Sequence, residues 1–315
     1  MRFSVIIPLY NKAPYVSKAI DSVLTQSFAN YELLVVDDGS KDGSTSVAAK
    51  SIEGRRNCQL IRQENAGVSM ARNKGVSASH GDFLCFLDAD DWWEPTFLEE
   101  MDKFVSEFPD AGIYGTNYTI INESRHKTRV AMVGVESGFE KGYINYCQVY
   151  AKTMYMPLWT GAVCIPRSVF DEMQGFPQGI KLGEDFLLWI RIVLKYKVAF
   201  LNKPLSNYNQ DVDGENRGVG RLHEPKNHML WNLGFLAEEE KNNPELKQLL
   251  DNLRTFSLMP YLLFNEYHDL AQQELDKVDW TKQPDKVSKH YHKPLFLMRV
   301  DQVTKSIGSS LKRII

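Results

Sequence analysis

Five apolar residues, Phe83-Leu84-Cys85-Phe86-Leu87, run directly into Asp88-Ala89-Asp90-Asp91. A run so short and so uniformly apolar reads as a strand buried on both faces, the kind a parallel sheet requires. If extended geometry persists through the acidic residues, Asp88 and Asp90 share a face, because side chains two apart do. Open α/β sheets bind ligands beyond the carboxyl ends of their strands, so chemistry is expected at this end of the strand. Two carboxylates there suit Mg²⁺ or Mn²⁺, which are held by one or two carboxylates plus substrate phosphates. The plainer alternative is that acidic residues after a strand only open the next helix. Asp91 reads this way, with Pro95 and a helical pattern over Thr96–Phe108 behind it.

The chain leading up to this strand alternates strand and helix patterns without an internal sequence repeat. Phe3–Leu9 reads as a buried strand. Val16, Ala19, Ile20, Val23 and Leu24 fall at helical spacing, Tyr31–Val36 reads as a second strand ending in Asp37-Asp38-Gly39-Ser40, and a helix is expected over about 44–53. A third strand at about 59–62, the turn Asn65-Ala66-Gly67 and a helix at about 68–78 complete the series. Such alternation predicts a right-handed, mostly parallel sheet covered by helices. Polar residues gather at the strand ends: Tyr10 and Asn11, then Asp37 and Asp38, then Asp88 and Asp90. That is the pattern of a nucleotide pocket. No G-x-G-x-x-G follows the first strand and no G-x-x-x-x-G-K-[ST] occurs, so phosphate needs a cation in place of a glycine cradle.

Bulk properties exclude several classes. The 315 residues are 43% hydrophobic and 24% charged, which suits a globular enzyme with one large domain and an appendage, or two domains. A formal net charge of -3 gives no basis for a nucleic-acid partner. Cys58, Cys85, Cys147 and Cys164 are widely spaced and read as buried free thiols in a reducing compartment. The N-terminal apolar run reads as a strand, too short for a signal peptide, and no stretch approaches the ~20 apolar residues that span a bilayer. The expected location is cytoplasmic, either free or on the cytoplasmic face of a membrane.

Taken together, SVIIPLYNKAPYVSKAIDSVLTQSFANYELLVVDDGSKDGS, ENAGVSMARN and FLDADDWWEP resemble the nucleotide-binding half of the family 2 inverting glycosyltransferases, which have the GT-A fold. The resemblance covers about residues 2–210, with the motifs in order. It implies that the backbone around Pro8 and Leu9, with Tyr10, flanks the nucleoside, and that Asp38 accepts a hydrogen bond from the base. Arg72 and Asn73 would lie near the base or the diphosphate, Asp88 would reach the ribose, and Asp90 would bind the divalent metal, Mn or Mg. A surface salt bridge is the plainer reading of Arg72.

Farther on, Ile113–Ile121 is strand-like, 138–152 is expected to be helical, and GFPQGIKLGEDFLLWIRIV places Glu184 and Asp185 at the start of an apolar helix. Acidic residues in a first turn complement the helix dipole without further function. Beside the upstream motifs, however, Gly-Glu-Asp with Leu188, Trp189 and Arg191 resembles the family's catalytic acidic motif. The resemblance casts Asp185 as general base and Glu184 as an acceptor contact. Trp159, Gly161 and Trp189 either shape the acceptor pocket or pack the core. The glycine-rich stretch 209–221 reads as a mobile loop, with Arg217 and Arg221 as candidate phosphate contacts. Tyr208-Asn-Gln-Asp departs there from the basic or His-containing segment of the family. His223 is a candidate additional metal ligand; Pro225 between His223 and His228 rules out a helical pair of histidine ligands.

From about 226 the leucine spacing predicts two or three helices. In the tail, 286–315, Lys286, Lys289, Lys293, Arg299, Lys305, Lys312 and Arg313 oppose one acid, Asp301, among interleaved apolar residues. Such a helix fits an anionic bilayer, its own protein or a homodimer partner. The expected layout is a nucleotide-sugar-binding half at 1–118, an acceptor-binding and catalytic half at 119–221, and a helical region at 222–315. The expected function is metal-dependent inverting transfer from a nucleotide diphosphate sugar, with UDP as the expected nucleotide, to a hydroxyl of a saccharide or lipid-linked saccharide in cell-surface polysaccharide synthesis. The alternatives are a sugar nucleotidyltransferase, which would want a glycine-rich basic loop where Pro8-Leu9-Tyr10-Asn11 stands, and a non-catalytic nucleotide-sugar-binding protein.

Overall fold

In the computed structural model, residues 1–122, 127–129, 131–212, 222–294 and 297 are described. The chain divides into two compact units, Met1–Arg221 and Leu222–Ile315. The first is a mixed α/β layer structure. Its strands are β1 (Phe3–Leu9), β2 (Tyr31–Asp37), β3 (Cys58–Arg62), β4 (Phe83–Phe86), β5 (Trp92–Trp93), β6 (Ala111–Ile121), β7 (Lys127–Arg129), β8 (Lys141–Ile144), β9 (Val163–Pro166) and β10 (Lys197–Asn209). Its helices are α1 (Val16–Leu24), α2 (Ser44–Ser51), α3 (Val68–Ser77), α4 (Phe97–Glu107), α5 (Tyr146–Thr153), α6 (Arg167–Glu172) and α7 (Glu184–Val193). Among the described residues the strands form one sheet in the order β3-β2-β1-β4-β9-β6-β10-β5, with β7 on β6 and β8 on β10.

The pairings β1–β2, β2–β3 and β1–β4 are parallel. The chain leaves β1 for β2 on one side and returns through α3 to β4 on the other. The switch point of the sheet therefore lies between β1 and β4, where such sheets open a crevice. Both strands are inaccessible there because both faces are covered. Phe3, Val5, Ile7 and Leu9 pack in one core with Val16, Ala19, Ile20 and Val23 of α1, and α3 covers the opposite face of β1 and β2. Gly75 lets α3 settle that closely, since a Cβ on it would lie 2.6 Å from Ile6 Cγ2.

Beyond β4 the sheet becomes mixed. β9 runs antiparallel to both β4 and β6, and the long β10 runs parallel to β6 with register shifts around Pro204. A proline cannot donate to a ladder, which accounts for the irregularity. β5 pairs antiparallel with Ser206–Asn207 of β10, so the two residues after the acidic turn are fastened to the far half of the sheet.

Three expectations need correction. The helix expected over 138–152 is the strand β8 followed by the shorter α5. Asn145 stops the strand and caps the helix, its side chain accepting from the Gln148 N–H. The acidic segment does not continue β4 as an extended strand. Asp91 N–H donates to the Asp88 carbonyl at 3.0 Å, so Asp88 to Asp91 form a turn. Asp91 does not cap the next helix either: Thr96 precedes α4, and Asp91 is buried at 1% exposure.

The second unit contains α8 (Ala237–Asn242), α9 (Pro244–Ser257), α10 (Met259–Leu263), α11 (His268–Leu275) and α12 (Asp285–Tyr291). These are more and shorter helices than the two or three expected from leucine spacing. Breaks at Asn243-Pro244 and around Pro260 divide the pattern. Asn243 caps α9 by accepting from the N–H groups of Glu245 and Leu246. Leu246, Leu249, Leu250 and Leu253 are buried, and Arg254, 1% exposed, is held by Glu240, Asp251 and Glu274. Only the first part of the basic tail is described. There α12 packs within its own unit, with Tyr291 Oη donating to the Thr255 carbonyl at 2.6 Å. Among the described residues no helix is long and apolar enough to cross a membrane.

Candidate active site

At the crevice, each carboxylate of the acidic turn meets a different partner. Asp88 accepts from Arg72 Nη2 at 2.8 Å. Asp90 pairs with Lys12 Nζ at 2.5 Å. Asp91 accepts the backbone N–H of Asn209 at 2.9 Å and the indole N–H of Trp159 at 3.1 Å. Burial pushes Asp90 above the usual carboxylate range, with Lys12 opposing and Asp88 adding to the shift. Asp91 is pushed well above it, by burial first and by Asp90 and Asp88 next. The turn thus concentrates negative charge that the fold itself balances only in part.

Arg72, on α3, joins this turn to the start of α7. Its side chain is 3% exposed and donates through Nη1 to Glu184 Oε1, also at 2.8 Å. Burial alone would lower its pKa, but Asp88, Glu184 and then Asp185 raise it. The surface salt bridge considered for Arg72 is therefore replaced by a buried bridge between two acidic motifs about a hundred residues apart in sequence. Its guanidinium also lies over the Phe176 ring, 5.0 Å from the centroid.

Gly183, with φ of +82°, turns the chain into α7 in the left-handed region that favours glycine. Asp185 follows in the first turn. Its Oδ2 accepts from Thr160 Oγ1 at 2.9 Å and its Oδ1 from the Phe186 N–H at 2.7 Å. Burial, then the charge of Glu184, lifts the carboxyl to about 6, against the lowering effects of Arg72, Thr160 and Phe186 N–H. A carboxylate tuned to that range is ionised near neutral pH yet basic enough to take a proton.

The remaining sequence candidates fall into three groups. Pro8 and Leu9 are buried at the end of β1, and Tyr10 beyond them is 45% exposed at the mouth of the crevice. Asn11, in the left-handed region at φ +50°, ties this exit to that of β2 by donating to Ser40 Oγ and accepting from Lys41 N–H. Asp38 is buried and accepts from Gln63 Nε2, Ala66 N–H and Gly67 N–H, so it shapes the turn that precedes α3. Asn73 points its amide at another chain segment, bonding the Phe176 carbonyl at 2.9 Å and N–H at 3.0 Å. His223 belongs to the second unit, where its backbone N–H and carbonyl both meet the Tyr261 hydroxyl. Arg217 and Arg221 lie outside the described residues.

Sequence reasoning missed two contributors. Lys12 follows Asn11 in the first loop and carried a charge that could have been matched to the acidic turn. Nothing in the string Trp159-Thr160-Gly161 marks Thr160 as the partner of Asp185. Trp159 lies against Tyr208 with the rings tilted by 36° and 4.0 Å between centroids, while Trp189 is wholly buried as a core residue. Gly161 offers its carbonyl to the Trp93 indole at 2.6 Å.

A divalent cation suits the donor set here, because Asp88 and Asp90 are hard oxygen ligands at 27% and 18% exposure beside the crevice. Among the described residues no group of three or more His, Cys, Asp or Glu side chains is gathered to hold a metal ion. An ion at Asp90 would therefore draw further ligands from substrate oxygens, as Mg²⁺ and Mn²⁺ commonly do.

The model of the family described as glycosyl transferase family 2 matches residues 4–166, a little over half of the chain. The chain belongs to glycosyl transferase family 2. Among this family member's relatives is the glycosyltransferase GlyA of Streptococcus pneumoniae, 35% identical over 215 residues, or 66% of this chain and 30% of GlyA. Another is the minor teichoic acid biosynthesis protein GgaA of Bacillus subtilis, 32% identical over 206 residues, or 62% of this chain and 44% of GgaA. The matched stretch is only 30–36% of the length of several such relatives. Among solved structures, Staphylococcus aureus TarS 1-349 with UDP-GlcNAc superposes with a TM-score of 0.70 at 19% identity, covering 91% of this chain and 83% of that one. The mannosyltransferase PcManGT of Pyrobaculum calidifontis, in complex with GDP-Man and Mn²⁺, gives 0.56 at 17% identity, covering 91% and 77%. These likenesses establish the GT-A fold of this family 2 chain.

Proposed function

We propose that this family 2 chain is a metal-dependent inverting glycosyltransferase. It moves a sugar from a nucleotide diphosphate donor, with UDP the favoured nucleotide, to a hydroxyl of a saccharide or lipid-linked saccharide acceptor in cell-surface polysaccharide synthesis. The observation that carries the reading is Arg72, which holds the turn of Asp88 and Asp90 beside the Glu184-Asp185 pair at the carboxyl end of the sheet. One motif suits donor and metal, the other suits proton removal, and a single buried cation keeps them in register.

In this reading Asp88 reaches the ribose, Asp90 holds the cation, and Pro8, Leu9, Tyr10, Asp38, Arg72 and Asn73 surround the nucleoside diphosphate. A bound Mn²⁺ or Mg²⁺ supplies positive charge to the departing diphosphate. Asp185 removes the proton of the acceptor hydroxyl as that oxygen bonds to the anomeric carbon, and the carbon–oxygen bond to the diphosphate breaks on the opposite face. Configuration is thereby inverted, and the proton resides on Asp185 until solvent takes it. Thr160 orients the carboxylate, and Glu184, held by Arg72, stands at the acceptor side. Similarity to the minor teichoic acid biosynthesis protein GgaA supports a cell-envelope acceptor. The experiment is incubation with UDP-, GDP-, CDP- and TDP-sugars and short saccharide acceptors in the presence of Mn²⁺. Product with inverted anomeric configuration, read by NMR, supports the reading. Retained configuration, or no transfer from any donor by folded protein, overturns it.

A further inference from the structure

Lys12 reaches Asp90 from the loop after β1, and both side chains are shielded, 13% and 18% exposed. The loop is also held through its main chain. Asn11 N–H bonds Ser40 Oγ, Lys12 N–H bonds Ser44 Oγ at 2.7 Å, and Ala13 N–H bonds Asp42 Oδ2 at 3.0 Å. These bonds anchor the loop to the segment after β2 independently of the Asp90 pair, and Lys12, whose Nζ also lies 6.0 Å from the centroid of the Tyr15 ring, carries its ammonium on a flexible four-carbon stem. Asp90 has the opposite problem: flanked by Asp88 and Asp91 and shielded from water, its charge needs a cation nearby. A divalent ion arriving at the same carboxylate would meet a like charge within about 4 Å, where Coulomb repulsion is worth several kcal/mol at the effective dielectric of such a site. That repulsion sets the two cations in competition for Asp90. A diphosphate entering the crevice offers the displaced ammonium a better partner.

We propose that Lys12 is the resident counter-ion of Asp90, contesting the carboxylate with the divalent cation and passing to the diphosphate when nucleotide binds. This rests on the reading of Asp90 as the metal ligand. Its consequence is reciprocal coupling: nucleotide draws Lys12 away and tightens metal binding, and metal displaces Lys12 and tightens nucleotide binding by the same factor. Lys12 is on this account a donor-binding residue that also governs the metal ligand, and its effect appears in binding before any turnover.

The test uses the full chain and the free-Mn²⁺ signal in electron paramagnetic resonance, without nucleotide and with UDP (or GDP, CDP or TDP if the wild type prefers it). Lys12→Met should bind Mn²⁺ about tenfold tighter than wild type without nucleotide, equivalent to about 1.4 kcal/mol. It should also bind metal-free UDP about tenfold more weakly and show a smaller enhancement of Mn²⁺ binding by UDP. Lys12→Arg, which keeps the charge, should retain weak nucleotide-free Mn²⁺ binding, separating charge from damage to the loop. Equal or weaker nucleotide-free Mn²⁺ binding by Lys12→Met, with Mn²⁺–UDP binding intact, overturns the counter-ion role and leaves the metal reading standing. Failure of the wild type to bind Mn²⁺ with or without UDP removes the metal reading and this inference together.

Discussion

Replacing Asp185 by Asn should cost activity and increase stability, because the same burial produces both effects. Moving a carboxyl from the ordinary 3.8 to about 6 means that the folded chain disfavours its ionised form. At about 1.4 kcal/mol per tenfold change in acidity, ionising it at neutral pH costs the fold ~3 kcal/mol. Asn is neutral at every pH but offers one acceptor oxygen where the carboxylate serves both Thr160 Oγ1 and Phe186 N–H. The lost hydrogen bond takes back ~1 kcal/mol, leaving a gain of ~1–2 kcal/mol. For a unit of this size that corresponds to a rise of about 2–8 °C in Tm. The sign with pH follows from linkage. Well below pH 4 the wild-type carboxyl is protonated in both folded and unfolded chains, so Asp185→Asn has no charge advantage. The advantage grows as pH rises from about 4 to about 6 and is constant above. The assay is thermal melting of both proteins from pH 4 to pH 8 without donor, paired with initial rates, which should fall by ~10²–10⁴ as befits loss of a general base. A variant that melts lower than wild type at neutral pH, or whose advantage does not change with pH, would refute the electrostatic reasoning. Wild-type rates would refute the role of base.

Three further outcomes are expected. Thr160→Val removes the donor on Asp185 Oδ2, so the carboxyl should become more basic and the acidic limb of the rate profile should move to higher pH; an unmoved limb would show that Thr160 does not tune it. Arg72→Met leaves Asp88 and Glu184 without their shared cation and should destabilise the first unit by ~3–5 kcal/mol, read by urea melting, with Arg72→Lys unable to restore the two-way bridge; a loss under 1 kcal/mol contradicts it. Asp91→Ala strands the Asn209 N–H and the Trp159 indole and should speed hydrogen exchange at Asn209, whereas exchange at wild-type rates would mean that Asp91 does not hold β10 in place.

The parallel half of the fold was legible because β1 and β4 are almost wholly apolar and α1 keeps a 3.6-residue apolar spacing, with Val16, Ala19, Ile20 and Val23 buried. Phe3–Leu9 illustrates this: all seven residues are buried. Beyond β4 the signals fail for physical reasons. Lys141–Ile144 is a strand through its pairing with β10, a partner some sixty residues away that local spacing cannot reveal. Asp91 looks locally like a helix cap, yet its environment is set by Trp159 and Asn209, both distant in sequence. Within the candidate site, the types and order of Asp88, Asp90, Glu184 and Asp185 were what the sequence offered for a donor and base reading. Their mutual placement depended on Arg72, whose partners come from two separate elements. Lys12 offered only an unassigned charge and Thr160 no signal at all, because a lysine in a loop and a threonine in a turn are common and only the fold brings them to carboxylates.

The account stands most directly on Asp90 as the residue that couples nucleotide to metal. Calorimetric titration of UDP, GDP, CDP and TDP, with and without Mn²⁺, into the wild type and Asp90→Ala tests it. One nucleotide should bind with an affinity that depends on Mn²⁺, and that dependence should vanish in Asp90→Ala while the variant stays folded. Binding of no nucleotide by the folded wild type, or Mn²⁺-dependent binding that survives the substitution, would contradict it.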